Sequence, residues 1–372
     1  MGTTGLSSQA YGANDPNYLV NVFIRSIILG LSLGLLIIIF HNLIFSLFES
    51  ILNLSNKVWS STHSYSKVRI YSAPAVLMNF CIVGYLIGIQ KTKIVLIGSF
   101  IVNGLNIVLD YIFVAFFNMN VVGVALGTLI SEWVGCIFGL VFLFIIFKRS
   151  GANIYWIEVF SKKQFLNLLN INMDIFIRTF CLAATHIWFI NRSSNLGDIE
   201  LAINGILLNF VYISSFFIDG FAFTTETLVG ESKGAKNKIL FVKYVISSTF
   251  WCILSALLCV IIFGIFGKNI INLLTNINDV KILSHNYLIW LVLLPIISVF
   301  SYQLDGIFTG ATRTKEMRNG AIISIIGFII ATIILLPIFG NHGLWVSYIL
   351  FLLFRAITLG LNFTSLKNSI ND

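Results

Sequence analysis

The sequence predicts an all-α bundle that crosses a membrane many times, and three observations carry that reading. Mean hydropathy over the 372 residues is +0.94. Only 10% of the residues are charged, against about 25% in a soluble domain. Apolar runs of the length that a spanning helix needs, about 20 residues, recur along the whole chain. Lipid-exposed backbone must satisfy its own hydrogen bonds, so these runs read as helices.

Ten segments qualify, at 18–48, 68–90, 94–117, 121–147, 171–192, 199–228, 239–266, 283–310, 317–338 and 342–364. The first holds polar residues near its ends, and a break is expected near His41. Loop charge orients the set. Lys91, Lys93, Lys148, Arg149, Lys162, Lys163, Lys233, Lys236, Lys238, Arg313, Lys315, Arg318 and Lys367 fall on one side, thirteen in all. The other side holds five: Lys57, Lys67, Arg192, Lys268 and Lys281. The positive-inside bias therefore places loops 90–93, 148–163, 229–238 and 311–318, and the C-terminus, in the cytoplasm. The net charge of +8 is accounted for by this bias. No stripe of aromatic and basic residues of the nucleic-acid type is visible, so nucleic acid is not an expected partner.

Catalytic and metal signatures are missing from the sequence. Cys81, Cys136, Cys181, Cys252 and Cys259 all lie in apolar runs, with no CxxC pair, and read as small core thiols. His41, His63, His186, His285 and His342 are scattered, with no HExxH spacing. No nucleophile–His pair is apparent, so an enzyme is not predicted, nor a prosthetic cofactor or a metal centre.

The chain repeats itself. The opening MGTTGLSSQAYGAND lies beside FTTETLVGESKGAKN (223–237), with Leu6 on Leu228 and Gly12-Ala13 on Gly234-Ala235, an offset of 222. GYLIGIQKTK (84–93) matches GIFTGATRTK (306–315) at the same offset of 222. Pro74 and Pro295 follow at 221, and Gly123 and Gly343 at 220. Matched loops fall on one side, which predicts a parallel repeat about an axis along the membrane normal. The expected lobes are 1–164, with four helices, and 165–372, with six. If copy two starts near Phe165, the repeat predicts about 58 further residues, nearly two helices, ahead of Met1. Met1 then reads as an internal methionine at the end of a second helix.

Several stretches together resemble one family. RIYSAPAVLMNFCIVGYLIGIQKTK, NGLNIVLDYIFV, GVALGTLISEWVG, DGFAFTTETLVGESKGA and QLDGIFTGATRTKEMRN are similar to the DinF branch of the MATE (multidrug and toxic compound extrusion) transporters. The resemblance runs nearly the full chain, and the motifs at 216–235 and 303–319 are specific to that branch. It implies twelve helices in two six-helix lobes, of which ten are present here. It also implies a monomer in a cell membrane that exports small organic compounds in exchange for a cation, H⁺ or Na⁺.

Charges inside spans are costly and usually face a cavity or a partner. Asn103, Asn106 and Asp110 are spaced i, i+3, i+7 on one helix face. A carboxylate beside amides suits a protonation or Na⁺ site, because hard cations prefer oxygen ligands. The alternative is a carboxylate that merely bonds its neighbours. The resemblance adds Thr128 on the next helix, so that Asn106, Asp110 and Thr128 match the family's cation site. The family's first-helix Asp has no counterpart in this chain.

Asp219 and Glu226 share a face; Asp219 is a candidate for a second-lobe cavity, whereas Glu226 is expected to be solvated or to cap its helix. Asp305 lies in QLDG with Gln303 beside it, and the resemblance places an acidic residue of the tenth helix in the second lobe. Cation binding, substrate binding and helix bonding all stay open for it. Asp174 and Arg178 are i, i+4 and are expected to pair within their helix, with a substrate role for Arg178 as the other reading. Glu132 and Arg355 are single charges that could pair across helices or snorkel.

Gly84-x3-Gly88 and Gly306-x3-Gly310 predict close helix packing. Pro74 and Pro295 are expected to kink matching helices. The sequence thus points to a secondary active exporter working by alternating access between two lobes. A flippase for lipid-linked sugars on a related fold, and a non-transporting fragment, are the alternatives.

Overall fold

The computed structural model describes residues 2–51 and 55–371. Met1, and with it the reading of an internal methionine, lies outside the described residues.

The backbone is helical nearly throughout. In order come α1 (Gly2–Gly12), α2 (Pro16–Ile39), α3 (His41–Ile51), α4 (Asn56–Arg69), α5 (Ala73–Gly88), α6 (Thr92–Tyr111), α7 (Asn120–Ser150) and the short α8 (Trp156–Val159). There follow α9 (Lys162–Ser194), α10 (Asp198–Gly234), α11 (Lys238–Leu274), α12 (Asn278–Ser284), α13 (Leu288–Gly310), α14 (Thr314–Phe339) and α15 (Asn341–Asn368).

Ten stretches of the described residues are long and apolar enough to cross a membrane. Each predicted segment has its counterpart among them. The helices overrun the apolar limits by several residues, since a hydrogen-bonded helix carries on into polar surroundings. The break near His41 is present: α2 ends at Ile39 and α3 begins at His41. Two spans are interrupted by a single 3₁₀ turn, at Ile70–Ser72 and at His285–Tyr287. Pro74 sits in the first turn of α5, where its missing N–H removes no bond, whereas Pro295 lies inside α13.

The repeat is written in the backbone. Asp15 caps α2 by accepting from Tyr18 N, and Asn237 caps α11 by accepting from Leu240 N, both at 2.9 Å. Those positions are 222 apart. The residue before each cap, Asn14 or Lys236, has positive φ (53° and 52°). Gln90 (φ 61°) and Thr312 (φ 54°) form a second such pair, again 222 apart. The hydrogen bonds around them also correspond. Gln90 N donates to Ile87 O and Lys91 N to Leu86 O, as Thr312 N does to Thr309 O and Arg313 N to Phe308 O. Both copies therefore turn with a left-handed residue at the same position and with the same closing bonds.

The chain divides into two compact units. The first is Leu6–Leu168; the second is Leu169–Asp372 with Met1–Gly5. Phe23, Met78, Ile82, Tyr85 and Leu143 form the core of the first, from α2, α5 and α7. Its last segment is fastened by Arg25, which is 2% exposed and donates to Val159 O and Glu158 O at 3.1 and 2.9 Å. The second unit is built around Phe189, Phe210, Phe328, Trp345, Tyr348 and Phe351. A buried amide pair crosses it: Asn204 donates to Asn341 and accepts from Trp345 Nε1 at 2.9 Å.

Lipid tails are as apolar as leucine, so close packing rather than water exclusion joins such helices. Gly306 and Gly310 show this. Each faces the α10 backbone, at the carbonyls of Ala222 and Glu226, with no room for a Cβ. Gly310→Ala is therefore expected to force α10 and α13 apart at a cost of about 1–3 kcal/mol, read as a lower melting midpoint in detergent. Gly220→Ala is the control. Gly220 has open space around the same atom, and its variant should melt no lower than the parent.

Candidate functional site

The first unit brings together three of the residues singled out in the sequence. Asn106 and Asp110 lie one turn apart on α6. The Asn106 amide nitrogen reaches Asp110 Oδ1 at 3.3 Å and Thr128 Oγ1, on α7, at 3.2 Å. Thr128 in turn donates to Val124 O at 2.9 Å, which fixes its hydroxyl. Asn103 does not join them. It lines a separate cavity of about 230 Å³ with Asn79 and Glu132.

Two features of the backbone hold this cluster. Gly127 abuts Asp110, and a Cβ there would collide with Oδ1. It is the absence of a side chain at Gly127 that lets α7 approach the carboxylate. Directly after Asp110 the helix widens into a π-turn at Ile112–Phe116, a departure often found at functional positions. Neither feature was identified from the sequence. GVALGT signals small residues but not which of them faces Asp110, and a π-turn has no simple pattern.

The electrostatics of Asp110 are unusual for a membrane carboxylate. Among the described residues no ion pair reaches it. It is half-buried and rests on one neutral amide. Asn106 uses its N–H groups on Asp110 and Thr128, and no described residue donates to its side-chain oxygen. The cluster thus offers carboxylate, amide and hydroxyl oxygens within one small region, the donor set of a hard cation.

In the second unit the arrangement is the opposite. Asp305 Oδ2 accepts from both Arg178 Nη2 and Arg355 Nη2. All three residues are buried. The Arg355 guanidinium also lies 5.6 Å from the Phe351 ring centroid and 5.7 Å from that of Tyr302. Gln303, two residues earlier on α13, bonds elsewhere. It donates to Ser248 and Thr249 at 2.9 and 3.0 Å and accepts from Thr225 at 3.0 Å. Asp219 is half-buried in the field of Arg178, Arg355 and Asp305, and no hydrogen bond joins it directly to any of them.

Two expectations are corrected. Asp174 and Arg178 do not pair within α9. Asp174 accepts from Arg318 at 2.8 Å and from Thr314 at 2.9 Å, whereas Arg178 turns to Asp305. An i, i+4 pair contributes only about 0.2–0.5 kcal/mol, so better partners on neighbouring helices win. Glu226 is not solvated but 2% exposed, with Oε1 making no hydrogen bond among the described residues. Its carboxylate is hydrogen-bonded to the side chain of Thr4 on α1. Glu132 and Arg355 do pair across helices. Glu132 accepts from Asn79 at 2.9 Å and lies 3.9 Å from Arg69.

Comparison with known proteins gives one consistent answer. The family model MatE matches residues 1–112 and 175–338. Over 359 residues the chain is 34% identical to DNA damage-inducible protein F of Escherichia coli (strain K12), a match covering 96% of this chain and 78% of that protein. Over 351 residues it is 25% identical to multidrug export protein MepA of Staphylococcus aureus (strain MSSA476), covering 90% and 74%. Among solved structures, the crystal structure of MATE in the straight conformation superposes with a TM-score of 0.89 at 21% identity, over 99% of this chain and 84% of that one. The chain, a bundle of apolar helices with a repeated backbone, belongs to the MatE family of membrane transporters.

Proposed function

We propose that the protein exports small organic compounds across the cell membrane in exchange for a cation, H⁺ or Na⁺, and that Asp110, with Asn106 and Thr128, carries the cation. The observation behind this reading is the contrast between two carboxylates. Asp305 is held by two guanidiniums, which keep it engaged. Among the described residues Asp110 has no counter-ion and accepts from one neutral amide, which also reaches Thr128. A carboxylate that cycles between occupied and empty must not have a built-in cation competing for it.

The printed names of relatives agree in kind: MepA is called a multidrug export protein. Substrate release and cation uptake would alternate between the two sides of the membrane as the lobes 1–164 and 165–372 rock. Loops 90–93, 148–163, 229–238 and 311–318, and the C-terminus, would face the cytoplasm, as their lysines and arginines favour. A flippase for anionic lipid-linked sugars calls for exposed positive charge in the second unit. Arg178 and Arg355 give it less support, since both are buried and committed to Asp305.

The variants separate by role. Asp110→Asn, tested in proteoliposomes with an imposed H⁺ or Na⁺ gradient, should abolish gradient-driven efflux while leaving the melting midpoint near that of the parent. Undiminished efflux would sink the assignment. Asp305→Asn should act on folding instead. It leaves two buried guanidiniums without a counter-charge, at a cost of about 3–5 kcal/mol, read as a loss of monodisperse protein. A well-folded Asp305→Asn protein with altered ion coupling would move the site to the second unit.

A further inference from the structure

At the start of α11 lies an open concavity of about 1020 Å³ whose lining includes Lys236, Lys238, Lys243, Ile239, Val242 and Ile246. Among the described residues no Asp or Glu lines it. Three other basic residues on this side of the second unit are neutralised or capped, whereas Lys315 and Lys367 enter no ion pair among the described residues. Arg313 pairs with Glu316, Arg318 with Asp174, and Lys233 donates to Ala311 O. Lys236 and Lys243 enter no ion pair among the described residues, and Lys238 reaches only the neutral Asn368 Oδ1, at 3.2 Å.

The three lysines top an apolar stripe. Ile239 is 84% exposed, Ile246 65% and Phe250 62%, and they follow one another down one face of a helix that crosses the membrane. Lys238 and Lys243 are separated by about 7.5 Å along the axis at 1.5 Å per residue. That is close to the depth of the headgroup layer, and a lysine stem can snorkel over the remainder.

The fold does not require these lysines. The first unit makes the same capped, left-handed turn at the start of α2, and its residues at the matching positions, 222 earlier, are Asn14, Pro16 and Asn21. Orienting charge alone does not call for a concavity continuous with an apolar track. We propose that this niche binds the head group of an anionic phospholipid, with its phosphate among Lys236, Lys238 and Lys243 and an acyl chain along Ile239, Ile246 and Phe250. A zwitterionic lipid brings an additional cation that the lysines repel. The inference rests on the chain crossing a membrane and is independent of the coupling site.

The test is native mass spectrometry of the full chain in micelles containing equal phosphatidylglycerol and phosphatidylcholine. The parent should retain phosphatidylglycerol preferentially, and each lysine changed to Gln should cost about fivefold of that preference. Lys236→Gln/Lys238→Gln/Lys243→Gln should lose it, whereas Lys162→Gln/Lys163→Gln should keep it. Equal retention of both lipids by the parent, or an undiminished preference in the triple variant, would overturn the proposal. So would full displacement by soluble glycerol phosphate at the lipid's own concentration, because the apolar track would then contribute nothing. If the triple variant does not fold, Lys243→Gln alone carries the test, with about a fivefold loss expected.

Discussion

Within a bilayer an unpaired charge is costly, and in the second unit that cost is met on α13. Asp305 takes a guanidinium from α9 and another from α15. Gln303, two residues earlier, ties the same helix to α10 through Thr225 and to α11 through Ser248 and Thr249. One helix thus holds polar bonds to four neighbours. The apolar surfaces between them are interchangeable with lipid and say little about register. A shared carboxylate and a fully used amide leave few other arrangements satisfied. The glycines that follow, Gly306 and Gly310, then bring α10 into backbone contact. The hub and the close approach lie on the same stretch of α13, so each depends on the other being in register.

Seen against that hub, the first unit's polar cluster is under-determined. Asp110 rests on one amide, and its position is set by what α7 lacks, the side chain of Gly127. Where Asp305 is held by two guanidiniums, Asp110 accepts from a single neutral amide. The physical cost of such a group is what makes it a candidate for use.

Much of this was legible in the sequence, and the limits of legibility are instructive. The spans follow from hydropathy, because the bilayer imposes a length that the chain must meet. The repeat follows from Gly-Ala and Thr-Lys pairs at an offset of 222, and these residues mark helix ends whose turns do recur at that offset. Asn106 and Asp110 were placed together by helix spacing alone. Thr128 was not, and came from resemblance, since a contact between helices has no local period. Tertiary choice defeated the local rule for Asp174 and Arg178. Each found a partner more than 120 residues away in sequence, which spacing along one helix cannot show. Glu226 shows the same limit, since its side chain meets Thr4, more than 200 residues earlier in the sequence.

The repeat also shows what the two copies do not share. At the offset of 222, Asp110 falls on Thr332 and Asn106 on Phe328, while Asp305 falls on Val83 and Gln303 on Cys81. Caps, left-handed turns and closing bonds are held in common, whereas no buried charge of one copy recurs in the other at these positions. Backbone geometry in a membrane is constrained by hydrogen bonds that each copy must satisfy in the same way, so duplication preserves it. Side-chain charge is free to diverge wherever a new partner compensates it. That divergence let one copy concentrate its charges into a locked hub and the other keep a carboxylate unlocked. The polar asymmetry between units of one backbone design is therefore the better guide to chemistry, and the symmetry the better guide to fold.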